Sequence, residues 1–201
     1  MFGLHKFAML MLENAKKNAV IFYLPELIQS TRTDTRGLVE KYIINKCEES
    51  TMIAHQFIWS LEVEEKMTMH ENRFLPKHFN ERVYEIAGNL LKIILKNLNP
   101  MQRKLWVDED SYFKKITDVS GKFIHLDENP TLSLAMDKRE KSEFVKSQLE
   151  LFSKKISNHI YLPTNPDTKI IEMITNSAMS LQSAKKVPFL VSFVAQKYDV
   201  N

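Results

Sequence analysis

The chain has 201 residues, with 28 Lys and Arg against 25 Asp and Glu, for a net charge of +3. So even a balance excludes a nucleic-acid grip built on bulk charge, and 44% hydrophobic residues supply one sizeable core or two small ones, which excludes a disordered chain. The single cysteine, Cys47, excludes an internal disulfide framework and any cysteine-rich zinc site, and suits a reducing, cytosolic setting.

The longest apolar runs, Phe7–Leu12 and Ala19–Leu24, fall far short of the roughly 20 residues that span a bilayer. Phe2–Leu12 is followed at once by Glu13, Asn14, Lys16 and Lys17, without the small-residue cleavage site of a signal peptide. Only four glycines occur, Gly3, Gly37, Gly88 and Gly121, so neither GxGxxG nor GxxxxGK[ST] can be written anywhere.

In chain order, Leu38/Tyr42 and Val39/Ile43/Cys47 are sets four residues apart that predict a helix. After the capping residues Ser50 and Thr51, Ile53/Phe57/Leu61 and Ala54/Ile58 predict a second. Val83, Ala87, Leu90, Leu91, Ile94 and Leu98 fall on one face of a third, which Pro76 can open and Pro100 can end. Thr31–Thr35, Glu48–Thr51 and Lys66–Arg73 read as short connectors. Stacked helical hairpins without a fixed repeat predict an irregular α-solenoid.

A basic helical stretch follows, with Lys138, Arg139, Lys141, Lys146, Lys154 and Lys155 among Phe144, Leu149, Leu151 and Ile156. Basic residues near anionic lipid contribute about 1 kcal/mol each, but Glu140, Glu143 and Glu150 cut that field and favour an ordinary amphipathic surface helix. From Ile160 strand signals take over. Tyr161–Asp167 reads as a rigid turn set by two prolines, and Lys169–Ile174 and Pro188–Ala195 as strands. In the second, Phe189, Val191, Phe193 and Ala195 share one face and Leu190, Ser192 and Val194 the other. Two strands make no stable sheet alone, so the C-terminal part reads as a truncated domain.

His55 reads as a core histidine, and His5, His70, His78, His125 and His159 show no metal-ligand spacing. The carboxylates Glu62/Glu64/Glu65 and Asp108/Glu109/Asp110 read as solvated faces or helix starts. Neither a nucleophile elbow nor HExxH occurs.

Two stretches are more specific. Ile21–Ser30, then Thr33-Asp34, Gly37, Val39–Ile43 and Ala54–Trp59, resemble the helical accessory (PIK) region of phosphatidylinositol 4-kinases, most closely the type III alpha enzymes. Tyr161–Asp167 and then Leu181-Gln182-Ser183-Ala184-Lys185-Lys186-Val187-Pro188-Phe189-Leu190 resemble the opening of that family's kinase N-lobe, whose phosphate-binding loop runs Q-S-x-x-K-x-P before an aromatic. Tyr112–Lys122 is similar to the helix leading towards the lobe.

The resemblance implies a mainly α chain, an irregular α-helical solenoid followed by a few β-strands of a truncated kinase N-lobe. It implies a helical PIK accessory region at 1–125, a basic helical connector at 126–158, and the start of the lobe at 159–201. Ser183, Lys185 and Lys186 become the ATP phosphate contacts, with Lys186 aligned to the family's lysine and Lys185 where a small residue is more usual. ATP and Mg2+ are implied as cofactors of the whole enzyme, and phosphatidylinositol, an anionic membrane surface and scaffold proteins as partners. Its implied place is cytoplasmic, peripheral at the cytosolic face of a membrane, most closely the plasma membrane. The sequence holds no DFG motif and no catalytic loop, so the 201 residues by themselves are expected to be inactive. Two other readings stay open, a stand-alone helical interaction module and a fragment of another phosphoinositide kinase.

Overall fold

The computed structural model describes residues 10–70, 81–125, 136–153, 160–181 and 187–197. They divide between two compact units, Met1–Arg103 and Lys104–Asp199.

The first unit is helical: α1 (Lys17–Phe22), α2 (Leu24–Ser30), a 3-10 turn at Thr31–Thr33, α3 (Leu38–Glu49), α4 (Thr51–His70) and α5 (Glu81–Asn97). The helical spacing seen in the sequence selects the buried face. Ile43 and Cys47 of α3, Ile53, Phe57, Ile58 and Leu61 of α4, and Ala87, Leu90, Leu91 and Ile94 of α5 are all buried, and α4 packs on both α3 and α5. Phe57 is 0% exposed; burying such a ring contributes about 2–3 kcal/mol. His55 is buried among the same α4 side chains, as a core histidine should be.

The helix ends differ from expectation. A single residue, Ser50, separates α3 from α4, held extended at φ −144° and ψ 118°. Lys66–His70, predicted as connector, is helical because α4 runs to His70. The rest of that connector and Pro76 lie outside the described residues. Pro100 begins a helix: α6 (Pro100–His125) opens on a reciprocal box in which Asn99 Oδ1 accepts the Gln102 N–H at 2.9 Å and Gln102 Oε1 accepts the Asn99 N–H at 3.0 Å. Proline suits the first helical position because its missing N–H would have had no helical acceptor.

Asp34 organises the start of α3. Its carboxylate, only 6% exposed, accepts the N–H groups of Arg36 and Leu38 on Oδ1 (3.3 and 3.1 Å) and of Val39 and Glu40 on Oδ2 (2.6 and 3.3 Å). One anion thus satisfies the donors that a first helical turn leaves without intrahelical partners, where the helix dipole also favours negative charge. The chain reaches this arrangement through Gly37, whose left-handed backbone (φ 65°, ψ 22°) a Cβ would strain.

The second unit joins α6, from Lys104 on, to α7 (Lys138–Ser153) and a three-stranded antiparallel sheet of β1 (Tyr161–Leu162), β2 (Asn165–Ser180) and β3 (Phe189–Lys197), in that order. Tyr112 and Val119 of α6, Val145 and Leu149 of α7, Ile160, and Ile170, Met173 and Ala178 of β2 form one core, with Phe189, Val191 and Phe193 of β3 packed against it. Asp137 caps α7 by accepting the Arg139 and Glu140 N–H groups (2.7 and 2.8 Å), while Glu140 accepts the Asp137 N–H at 2.8 Å. The basic stretch is therefore an amphipathic helix whose inner side packs on the sheet, and Lys146 pairs with Glu143 at 3.0 Å. Leu151 points out to solvent, and Lys154, Lys155 and Ile156 lie outside the described residues. Glu109, read as solvated, is buried, while its neighbour Asp110 pairs with Lys114 at 2.6 Å.

The turn predicted over Tyr161–Asp167 narrows to Pro163 and Thr164, because Tyr161–Leu162 and Asn165–Asp167 are already strand. The strand predicted to stop at Ile174 continues to Ser180.

Two outcomes are expected. Asp34→Ala should lower the unfolding free energy by about 2 kcal/mol, with Asp34→Asn between it and wild type, and Gly37→Ala should cost about 1 kcal/mol, all read by urea denaturation. Burial pushes the Cys47 thiol above its ordinary value, with the Glu48 charge adding to it, and raises Tyr42 to about 12, with Glu49 and Glu13 adding. Both groups stay neutral when folded, so their stabilisation is complete below about pH 8, where neither ionises appreciably in the unfolded chain. Stability should then fall as pH rises towards 12, and Cys47→Ala should flatten the first part of that fall.

Candidate functional site: the β2–β3 ribbon

The ribbon is built from two unlike strands. β3 alternates cleanly: Phe189, Val191 and Phe193 turn to the core, and Leu190, Ser192 and Val194 to solvent, as its period of two predicts, although Ala195 is exposed. β2 keeps pace with it only through irregularities. Two steps of β2, Ile170 to Glu172, face one of β3, Ala195 to Val194, and five steps from Ile174 to Met179 face two, from Ser192 to Leu190. Such bulges leave ladder groups unmatched, and Ser177 repairs the larger one. Its Oγ accepts the Ser192 N–H at 2.8 Å and donates to Ile174 O at 2.6 Å.

Beyond the bulge regular pairing returns. Ser180 lies opposite Phe189, and the Leu181 N–H donates to Pro188 O at 2.7 Å. Val187 and Phe189 pack on the core of the unit. These contacts frame the segment that the sequence singles out, while Ser183, Lys185 and Lys186 themselves lie outside the described residues. The other motif of that resemblance, around Tyr161–Asp167, lies at the opposite end of β2. There Leu162 faces Asn165, Tyr161 faces Lys169, and the Ile170 N–H donates to Ile160 O at 2.8 Å. In α6, Tyr112 and Val119 of the third motif enter the core, and burial raises the Tyr112 hydroxyl pKa.

The outer side of the ribbon mixes apolar side chains with the polar Glu172 and Ser192. Ile174, Met179, Leu190 and Val194 are exposed on it, Leu190 at 55%. Among the described residues no group of three His, Cys, Asp or Glu is placed to hold a metal ion, and no described helix is long and apolar enough to cross a membrane.

Residues 3–95 match the phosphoinositide 3-kinase family accessory domain (PIK domain). The chain is 28% identical over 182 residues to phosphatidylinositol 4-kinase alpha 1 of Arabidopsis thaliana, covering 90% of this chain and 8% of that protein. The resemblance to the phosphatidylinositol 4-kinases is borne out. Similarity extends to phosphatidylinositol 4-kinase stt4 of Schizosaccharomyces pombe, 25% identical over 192 residues, and to phosphatidylinositol 4-kinase STT4 of Saccharomyces cerevisiae, 26% identical over 196 residues. Each covers 96% of this chain, which spans 9% of either relative. The mainly helical architecture with a small antiparallel sheet also agrees with the fold that the sequence implied.

The motifs led to the ribbon but missed what secures it. Ser177, Ser142 and Ser180 have no motif around them, and only the Asp137-x-x-Glu140 pattern ahead of α7 carried a local signal. The two sides of the ribbon should respond differently to truncation: Met173→Ala, inside the core, should cost about 2–4 kcal/mol and Leu190→Ala less than about 0.5 kcal/mol in chemical denaturation.

Proposed function

We propose that this chain is the part of a phosphatidylinositol 4-kinase in which the PIK accessory helices lead into the kinase N-lobe. The whole enzyme transfers the γ-phosphate of ATP to the 4-hydroxyl of the inositol ring of phosphatidylinositol, giving phosphatidylinositol 4-phosphate. The observation that carries this is collinear similarity over nine-tenths or more of the chain to proteins bearing that name. On this reading 1–125 is the accessory region, 126–158 the connector and 159–201 the opening of the lobe, with α7 as packing partner of its first strands. The enzyme works at the cytosolic face of a membrane, most closely the plasma membrane, against an anionic lipid surface and with scaffold proteins that bring it there.

Within this chain the phosphate contacts fall to Ser183, Lys185 and Lys186. A hydroxyl and two ammonium groups are donors without competing acceptor charge, which suits the oxygens of a triphosphate. Magnesium, when bound with ATP, neutralises charge on the phosphates; its ligands are assigned to no residue of this chain. Lys186 holds a point charge at the phosphates and Ser183 fixes an oxygen by hydrogen bonding. Pro188, whose carbonyl accepts from Leu181, sets the entry of β3 with its fixed φ.

The four exposed apolar side chains Ile174, Met179, Leu190 and Val194 on the outer side of the ribbon support the kinase-lobe reading over a stand-alone helical module, since such groups mark a surface that packs against further structure. In the full-length protein Lys186→Ala should raise the KM for ATP about tenfold and lower turnover. Unchanged kinetics in that variant, beside a large loss in Lys185→Ala, would move the phosphate contact to Lys185.

A further inference from the structure

At the loop end of β2 the Leu181 N–H turns towards β3, so the Ser180 N–H before it turns away. β1 does not reach that far, since it pairs with β2 only at Asn165 and Lys169. The acceptor comes from a helix instead. Ser142 Oγ on α7 takes the Ser180 N–H at 3.0 Å, across 38 residues of sequence.

The side chains close the arrangement. Ser180 Oγ lies 3.0 Å from Lys138 O and 3.1 Å from Ser142 Oγ, and Ser142 Oγ donates to Lys138 O at 2.8 Å. Two hydroxyl protons serve three oxygen–oxygen contacts. Ser180 is 1% exposed, so water is kept from replacing a missing member. The helical side of the cluster is itself fixed, because Asp137 and Glu140 close the first turn of α7 around Lys138.

We propose that Ser142 and Ser180 are positioning residues for the phosphates of ATP. The cluster pins the last residue of β2 to the first turn of α7, and so fixes the point and direction at which the chain leaves the sheet, three residues before Ser183. A lysine carried from a fixed base loses less freedom on meeting a phosphate than one carried from a fraying strand end. This inference rests on the reading of residues 183–186 as phosphate contacts.

The test uses the full-length protein, with the KM for ATP, the KM for phosphatidylinositol and kcat measured separately. Ser180→Ala and Ser142→Ala should each raise the KM for ATP about tenfold, the scale of one net hydrogen bond, and leave the KM for phosphatidylinositol unchanged. Ser142→Thr keeps the hydroxyl and should restore the wild-type value. Ser147→Ala removes a hydroxyl of α7 bonded only within its own helix, to Phe144 O, and should change nothing. A wild-type KM for ATP in both alanine variants, with Lys186→Ala still defective, overturns the positioning role and leaves the phosphate-loop reading standing. Wild-type values in all three overturn both. Amide exchange on the 201-residue chain separates anchoring from misfolding. Exchange at Leu181, whose N–H bonds Pro188 O, should quicken in Ser180→Ala while Val119 and Val145 stay protected, and an equal rate at Leu181 in variant and wild type overturns the proposal.

Discussion

A backbone N–H removed from water must find an oxygen, and at several helix starts and breaks in the ladder of this chain a side chain provides it. Asp34 does so for α3, Asn99 and Gln102 for α6, Asp137 and Glu140 for α7, Ser177 inside β2 and Ser142 at its end. Most of these oxygens sit on the short side chains of Asp, Asn and Ser, while Gln102 and Glu140 reach back from the first turn of their helices. The apolar cores supply most of the stabilising free energy, but they are non-directional. Where α3, α6 and α7 begin is decided by these polar contacts.

The same division of labour explains which features were legible in the sequence. Phe57, Ile58 and Leu61, or Leu90, Leu91 and Ile94, announce a buried face because burial follows the helical period directly. β3 is legible for the same reason with a period of two. The later half of β2 is not. Thr175-Asn176-Ser177 breaks the alternation, because at the bulge a hydroxyl does what a ladder bond does elsewhere. Pro100 reads as a stop in the sequence, although it also opens a helix once Asn99 and Gln102 are paired across it.

The candidate site divides in a similar way. Ser183, Lys185 and Lys186 were found by motif, since charge and hydroxyl at that spacing are written locally. Ser142 and Ser180 were not found, because their meeting depends on how α7 lies along the sheet, and neither residue carries a local pattern. Glu109 shows the opposite failure: a run of three acidic residues suggests solvent, but a helix sends its middle member inward.

The two irregularities in β2 also govern how the ribbon can err. In a regular antiparallel pair a slip by one residue costs little beyond the exchange of faces. Here any slip would have to carry both bulges along, moving Ser177 away from the Ser192 N–H and Ile170 away from Ala195 together. The bulges therefore act as stops on a ratchet. Alternative registers are reached only by unzipping the ribbon, and the span between Ser180 and Phe189 keeps one length for as long as the strands remain paired.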